Sequence, residues 1–136
     1  MAFIREAFTT SQRDSSITDA HLNSGYAAQI AGNGDPANGV PSVKLPNAGL
    51  STAVYGEIMG ALNAETVTIK TGGIARFRTN QDIAEIELAL QTNQGVHIAE
   101  DGLVESSRAP NEGKGLVIGY ETESGQTYII ADLDAN

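Results

Sequence analysis

Apolar and polar residues alternate along the second half of the chain and not along the first. Thr66-Val67-Thr68-Ile69-Lys70 sets Val67 and Ile69 on one face and threonines on the other, the period of a half-buried strand. Ile74-Ala75-Arg76-Phe77-Arg78 alternates again beyond Gly72-Gly73, so the two segments read as a hairpin. Ala53–Met59 is a further strand. Val96-His97-Ile98-Ala99 runs into Glu100-Asp101-Gly102 and then Leu103-Val104-Glu105; Asp-Gly supplies the positive-φ position that a tight reversal needs. The last pair is Gly115–Glu121 with Gln126–Leu133, joined by Thr122-Glu123-Ser124-Gly125. Asp82–Leu90 stays open. Ile83, Ile86 and Leu90 fit a helical stripe that Asn80 could cap, while Ile86, Leu88 and Leu90 fit a strand.

Before residue 51 the pattern is different. Thr9-Thr10-Ser11-Gln12 and Asp14-Ser15-Ser16 are small and polar, with no apolar period around them. Between Ala31 and Gly49 the chain holds Gly32, Gly34, Gly39, Pro36, Pro41, Pro46, Asn33, Asn38 and Asn47, a density of breakers that predicts a long loop. Loops of that length are usually functional or ordered by a partner. The predicted organisation is an extended arm and loop over residues 1–50, with a short ordered piece at Tyr26–Ile30, followed by a β domain over residues 51–136. The fold class is mainly β: a small barrel or sandwich of about six short strands, with a short helix near 82–91 as one reading of that stretch.

Composition narrows the chemistry. The chain of 136 residues is 40% apolar and 18% charged, which is globular rather than disordered, and its length suits one compact domain. Its net charge is −9, of which residues 51–136 carry −8, so it lacks the basic footprint of a general nucleic-acid binder. No cysteine is present, which removes disulfides, thiolate metal sites and cysteine nucleophiles. The opening residues carry no signal-peptide core and the apolar runs are too short to span a bilayer, so no membrane association is expected.

No catalytic constellation stands out. Gly113-Lys114-Gly115 leads into Leu116 and Val117, without the spacing or hydroxyl of a phosphate-binding loop, and reads as a polar turn. Gly32-Asn33-Gly34 reads as a turn as well. His21 and His97 have no His-x3-His partner, and no Gly-x-Ser-x-Gly elbow presents a serine. Glu85 and Glu87 would share a face on a strand, as a glycosidase pair does at roughly 5 to 9 Å. Without tryptophan there is no obvious sugar platform, and a solvated acidic face is the plainer reading. Asp132 and Asp134 lack a calcium-loop pattern and read as a solvated tail. Neither an enzyme, a metal site nor a cofactor is expected. Arg76 and Arg78, with Lys70 across the glycines, form the only basic patch after residue 50. They either pair with neighbouring glutamates or dock an acidic partner surface.

The order of these segments resembles the small tailed-bacteriophage capsid decoration, or cement, proteins. The residues that carry the resemblance are Tyr55-Gly56-Glu57-Ile58-Met59, Ala64–Lys70, Gly72-Gly73-Ile74-Ala75-Arg76-Phe77, the reversal from Gly95-Val96-His97-Ile98 to Asp101-Gly102, and the closing pair Gly115–Tyr120 and Gly125–Leu133. It covers about 80 residues by pattern and turn order. It implies a non-catalytic clamp made in the host cytoplasm and carried on the outer capsid surface of the virion. Its partners would be the major capsid protein and further copies of itself, as a homotrimer. An extended arm could add a strand to a capsid subunit. Phe3, Ile4 and Phe8 would then be apolar anchors, unless they fold back onto the barrel. Partner-binding residues in this reading are Phe3, Ile4, Arg5, Phe8 and Arg13 on the arm, and Arg76 and Arg78 on the barrel. Competing readings are a head-completion or tail-tube protein, a carbohydrate-binding β-module, and a small trimeric nucleotide hydrolase. For the last, Gly119-Tyr120-Glu121 and Ser124-Gly125 are a thin match.

Overall fold

The computed structural model describes residues 6–35, 40–46, 54–106 and 113–135. In chain order the elements are β1 (Ala7–Arg13), a 3-10 turn (Asp19–His21), β2 (Ala27–Asp35), β3 (Val40–Lys44), β4 (Gly56–Ile58), β5 (Thr66–Gly72) and β6 (Ile74–Thr79). Helix α1 (Ile83–Leu90), β7 (Val96–Glu100), β8 (Leu103–Ser106), β9 (Leu116–Glu123) and β10 (Gln126–Asp132) complete the chain. The fold is mainly β, as the alternation predicts. It has ten strands in its described residues rather than about six.

The strands form a closed barrel in the order β1-β3-β2-β4-β5, a three-stranded sheet β6-β10-β9, and the hairpin β7–β8. Two cores match these layers. Ile17, Ala28, Val43, Ile58, Val67 and Ile69 fill the barrel. Phe77, Ile86, Val96, Ile98, Val104 and Ile129 lead the second core, between the sheet, the β7–β8 hairpin and α1.

Residues 7–35 and 40–44 are not an arm and loop outside the β domain. They supply three of the five barrel strands, so the division at residue 50 cuts through the barrel. β1 runs antiparallel to β5, from Phe8 opposite Lys70 to Gln12 opposite Thr66, and parallel to β3. Its alternation is hidden because a narrow barrel takes small inward side chains. Ser11 is fully buried, and Thr9 hydrogen-bonds the Tyr55 hydroxyl, while Phe8 lies outside. The glycine-rich run is absorbed as irregular pairing between β2 and β3, with register shifts on either side of Gly32.

The hairpin expected from Thr66–Arg78 does not form. Gly73 alone, at φ 86°, separates β5 from β6, too few residues to reverse a chain onto itself. It turns a corner instead: β5 pairs with β1 and β4 in the barrel, and β6 pairs with β10 in the second sheet. The other two reversals form, the last of them across two residues rather than the four of Thr122–Gly125, since β9 runs on to Glu123. Asp101-Gly102 and Ser124-Gly125 both take positive φ at both positions, closing β7–β8 and β9–β10. Asp82–Leu90 resolves as helix, with Asp82 rather than Asn80 at the N-cap, and Ile86 and Ala89 buried.

β4 lies hard against β5. A Cβ built on Gly56 would sit 2.2 Å from the Lys70 carbonyl oxygen, which is backbone and cannot move aside cheaply, whereas one on Gly119 would meet nothing within 4 Å. Gly56→Ala is therefore expected to destabilise the protein by about 3 kcal/mol, the upper end of overpacking costs. Gly119→Ala should stay within about 0.5 kcal/mol of the parent. Urea denaturation of both variants checks the contrast.

Candidate functional site

The densest polar constellation lies where the barrel meets the second sheet. β6 alternates, so Ala75 and Phe77 enter the core while Arg76 and Arg78 share the opposite face. Tyr128 of β10 stands directly across from Arg78, and Glu121 of β9 directly across from Tyr128. The Arg76 guanidinium lies 3.6 Å from the Tyr128 ring centroid and forms ion pairs with Glu121 and, at 2.8 Å, with Glu123. Arg78 Nε donates to the Ser24 carbonyl at 2.7 Å and Nη1 donates to Gln126 Oε1 at 3.2 Å. Its guanidinium lies 5.1 Å from the Tyr26 ring centroid and 5.6 Å from that of Tyr128. Arg76 thus pairs with neighbouring glutamates, one of the two readings their pattern allowed, whereas Arg78 is held by a carbonyl and a glutamine instead.

Glu57 is the residue that the sequence reading missed. It points out of the barrel from β4, yet β6 covers it, and it is only 8% exposed. Its Oε1 accepts the Arg76 backbone N–H at 3.0 Å. Burial raises its pKa above the ordinary carboxylate value, and the Arg76 N–H and the charges of Lys70 and Arg76 oppose that rise without cancelling it. The visible signal was a lone acid inside the apolar run Val54-Tyr55-Gly56-Glu57-Ile58-Met59. Lys70 stands opposite Glu57 in register, bonds Glu6 at 3.3 Å and the Ile74 carbonyl at 3.0 Å, and lies 5.7 Å from the Phe8 ring centroid.

The remaining partner-binding candidates scatter. Phe8 is 49% exposed on the outer barrel wall. Arg13 is held at the end of β1, with Nε donating to the Ile17 carbonyl and Nη2 bonding Asp19, both at 2.8 Å. Among the described residues, no hydrogen bond or ion pair joins Arg13 to Arg76 or Arg78. Phe3, Ile4 and Arg5 lie outside the described residues.

The other candidates of the sequence are similarly apart. Glu85 and Glu87 sit on a helix rather than a strand and diverge: Glu85 accepts from Gln81, and Glu87 faces the Tyr120 hydroxyl. His97 is half-buried on β7 opposite Glu105. His21 accepts the Thr18 N–H on Nδ1 and packs edge-on against Tyr26, at the mouth of an open cleft of about 440 Å³ shared with Leu45, Glu100, Asp101 and Leu103. Burial, aided by the Arg13 charge, keeps its pKa below the usual imidazole value. Among the described residues no group of three or more histidine, aspartate or glutamate side chains is placed to hold a metal ion.

No protein-family model, curated protein or solved structure matches this chain.

Two measurements test the constellation. Because the native state holds the Glu57 proton more tightly than the unfolded chain does, Glu57 costs stability once pH rises through its unfolded value toward its folded one. Glu57→Gln keeps the acceptor for the Arg76 N–H and removes that titration. Its stability relative to the parent should therefore improve as pH climbs from about 4 to about 7, read by urea denaturation at each pH. Arg78→Ala should lower stability by about 2 kcal/mol, since it strips a charge-assisted bond from the Ser24 carbonyl and a cation from two rings. An unchanged melting temperature would return Arg78 to the list of docking residues.

Proposed function

We propose that the protein is a bacteriophage capsid decoration protein that binds the outside of the expanded head and clamps neighbouring major capsid subunits. The observation that carries this reading is the run from β7 to β10. Two tight hairpins follow one another there, across Asp101-Gly102 and Ser124-Gly125, in the order that the resemblance requires. Support also comes from the way the polar groups are used. Arg13, Lys70, Arg76 and Arg78 all have partners within the fold, which suits a rigid passive binder better than a catalyst. Many copies on a shell would multiply weak contacts through avidity. Self-association as a homotrimer belongs to the same reading, and so does a place on the outer capsid surface.

The folding of β1 into the barrel changes where such a protein would hold its shell. With Ala7–Arg13 closing the barrel, the part of the expected arm that this reading leaves to reach a capsid subunit is residues 1–5, ahead of β1. Co-sedimentation with emptied, expanded heads of the parent phage is the test, with the full chain and a form lacking residues 1–5. Saturable binding by the full chain is expected. Binding lost on truncation assigns the anchor to that segment, and binding retained assigns it to the folded body. A folded protein that binds no heads would overturn the decoration reading in favour of a head-completion or tail-tube component.

A further inference from the structure

The second sheet has two edges, and they are treated differently. On β6 the outward N–H groups are taken up by the barrel: Arg76 N–H by Glu57 and Arg78 N–H by the Gly25 carbonyl at 2.7 Å. Among the described residues β9 has no such backbone partners on its outer side. Counting back from the two-residue turn, Glu123 and Gln126 form the hydrogen-bonded pair, so Glu121 and Gly119 also bond β10, whereas Thr122 and Tyr120 turn their N–H and C=O groups outward. Among the described residues no main-chain or side-chain group bonds those outward groups; only near the far end does Val117 N–H reach the Gln94 carbonyl, at 2.8 Å. A bulge at Ile118 interrupts the strand, which leaves Gly119–Glu123 as an edge unpaired among the described residues, without proline or lysine to blunt it.

Helix α1 runs antiparallel beside this edge. Gln94 meets Val117 at one end and Glu87 meets Tyr120 midway. Ile83, Glu87 and Leu90 are spaced four and three apart and form one stripe on the flank of α1 toward β9. Ile83 is 39% and Leu90 38% exposed, and Ile118 at the bulge is 46% exposed. An incoming strand would set alternate side chains against this apolar flank and Tyr120, and the intervening ones beside Glu121 and Glu123, of which Arg76 neutralises one charge.

We propose that the β9 edge and the adjoining flank of α1 form a docking site for an extended peptide in which apolar and basic residues alternate. The unpaired backbone requires a strand, the helix flank selects apolar side chains, and the glutamates select cations. The same charges argue against a second copy as occupant, since two chains of net charge −9 would bring their β9 glutamates together. The site stands independently of the shell reading, because it needs only a peptide of that pattern.

The experiment is an NMR titration of the full chain with a capped seven-residue peptide alternating lysine and valine, followed by amide hydrogen exchange. Tyr120 and Thr122 amides should shift and gain protection, and a glutamate–valine peptide should leave them unchanged. Thr122→Pro deletes an outward N–H and spares the bonds to β10, so it should weaken binding at least tenfold. Should that variant fail to fold, Leu90→Lys, which places a like charge on the flank, is expected to do the same. Any of three results would overturn the proposal: no shift up to about 2 mM peptide, shifts confined to another surface, or equal affinity in the folded variants. Protection of Tyr120 that instead rises with protein concentration alone would make a second copy the occupant, and overturn it too. No heads enter this assay, so its failure leaves the decoration reading standing, and failure of that reading leaves this site standing.

Discussion

A carboxylate buried between two hydrophobic cores holds this fold in register. The barrel closes on itself and has no edge to share, so the second sheet cannot join it by an ordinary ladder. Glu57 makes the join with a side chain. Its oxygen occupies the place where a neighbouring strand would present a carbonyl to Arg76, and Gly25 supplies a true carbonyl to Arg78 one step along. Both contacts demand close approach. A Cβ on Gly25 would stand 3.0 Å from the Tyr128 ring, in a backbone conformation at φ 83° that side-chain-bearing residues avoid. Desolvation works against the carboxylate, and the N–H bond with two nearby cations works for it. The seam is therefore polar, specific in geometry and sensitive to any change in its few members.

Arginines are the other half of that seam. Arg76 and Arg78 rise from one face of β6 and enclose Tyr128, and their charge is spent on Glu121, Glu123 and the Ser24 carbonyl. What reads along the sequence as a basic patch is, in space, a cross-strand ladder within an acidic surface. Among the described residues, exposed carboxylates on α1, the β7–β8 turn and the edge of β9 include Glu85, Glu87, Asp101 and Glu123. A partner meeting this protein there meets negative charge beside half-exposed aliphatic groups.

The parts legible from sequence were those written in local chemistry. Asp101-Gly102 announces a turn because few pairs tolerate positive φ twice, and Val67 and Ile69 announce a strand by alternation. Asp82–Leu90 was ambiguous because a short apolar run fits either period, so periodicity alone does not choose the helix that buries Ile86 and Ala89. β1 was illegible for a different reason. Its inward positions are Thr9 and Ser11, and β5, the strand paired along its length, lies more than fifty residues away. Glu57 was visible as an oddity, but its role depends on β6 arriving over it after the corner at Gly73. Local pattern reports what a segment can be; closure of the barrel and the meeting of two sheets are decided by distant residues.

The way β1 is held also shapes how the chain reaches this structure. Its partners are β3, reached only by a parallel crossover, and β5, whose residues follow it by about sixty positions. Loop closure of that length must be completed before any ladder bond rewards it, so sealing of the barrel belongs late in folding. During synthesis β1 leaves the ribosome first and waits for Gly72 to emerge, while β7–β8 and β9–β10 can each zip as soon as their two-residue turns are out. The chain thus closes its last hairpins locally and its first strand only across a distance, and the wait for β5 is when an unpaired β1 is open to capture by other chains.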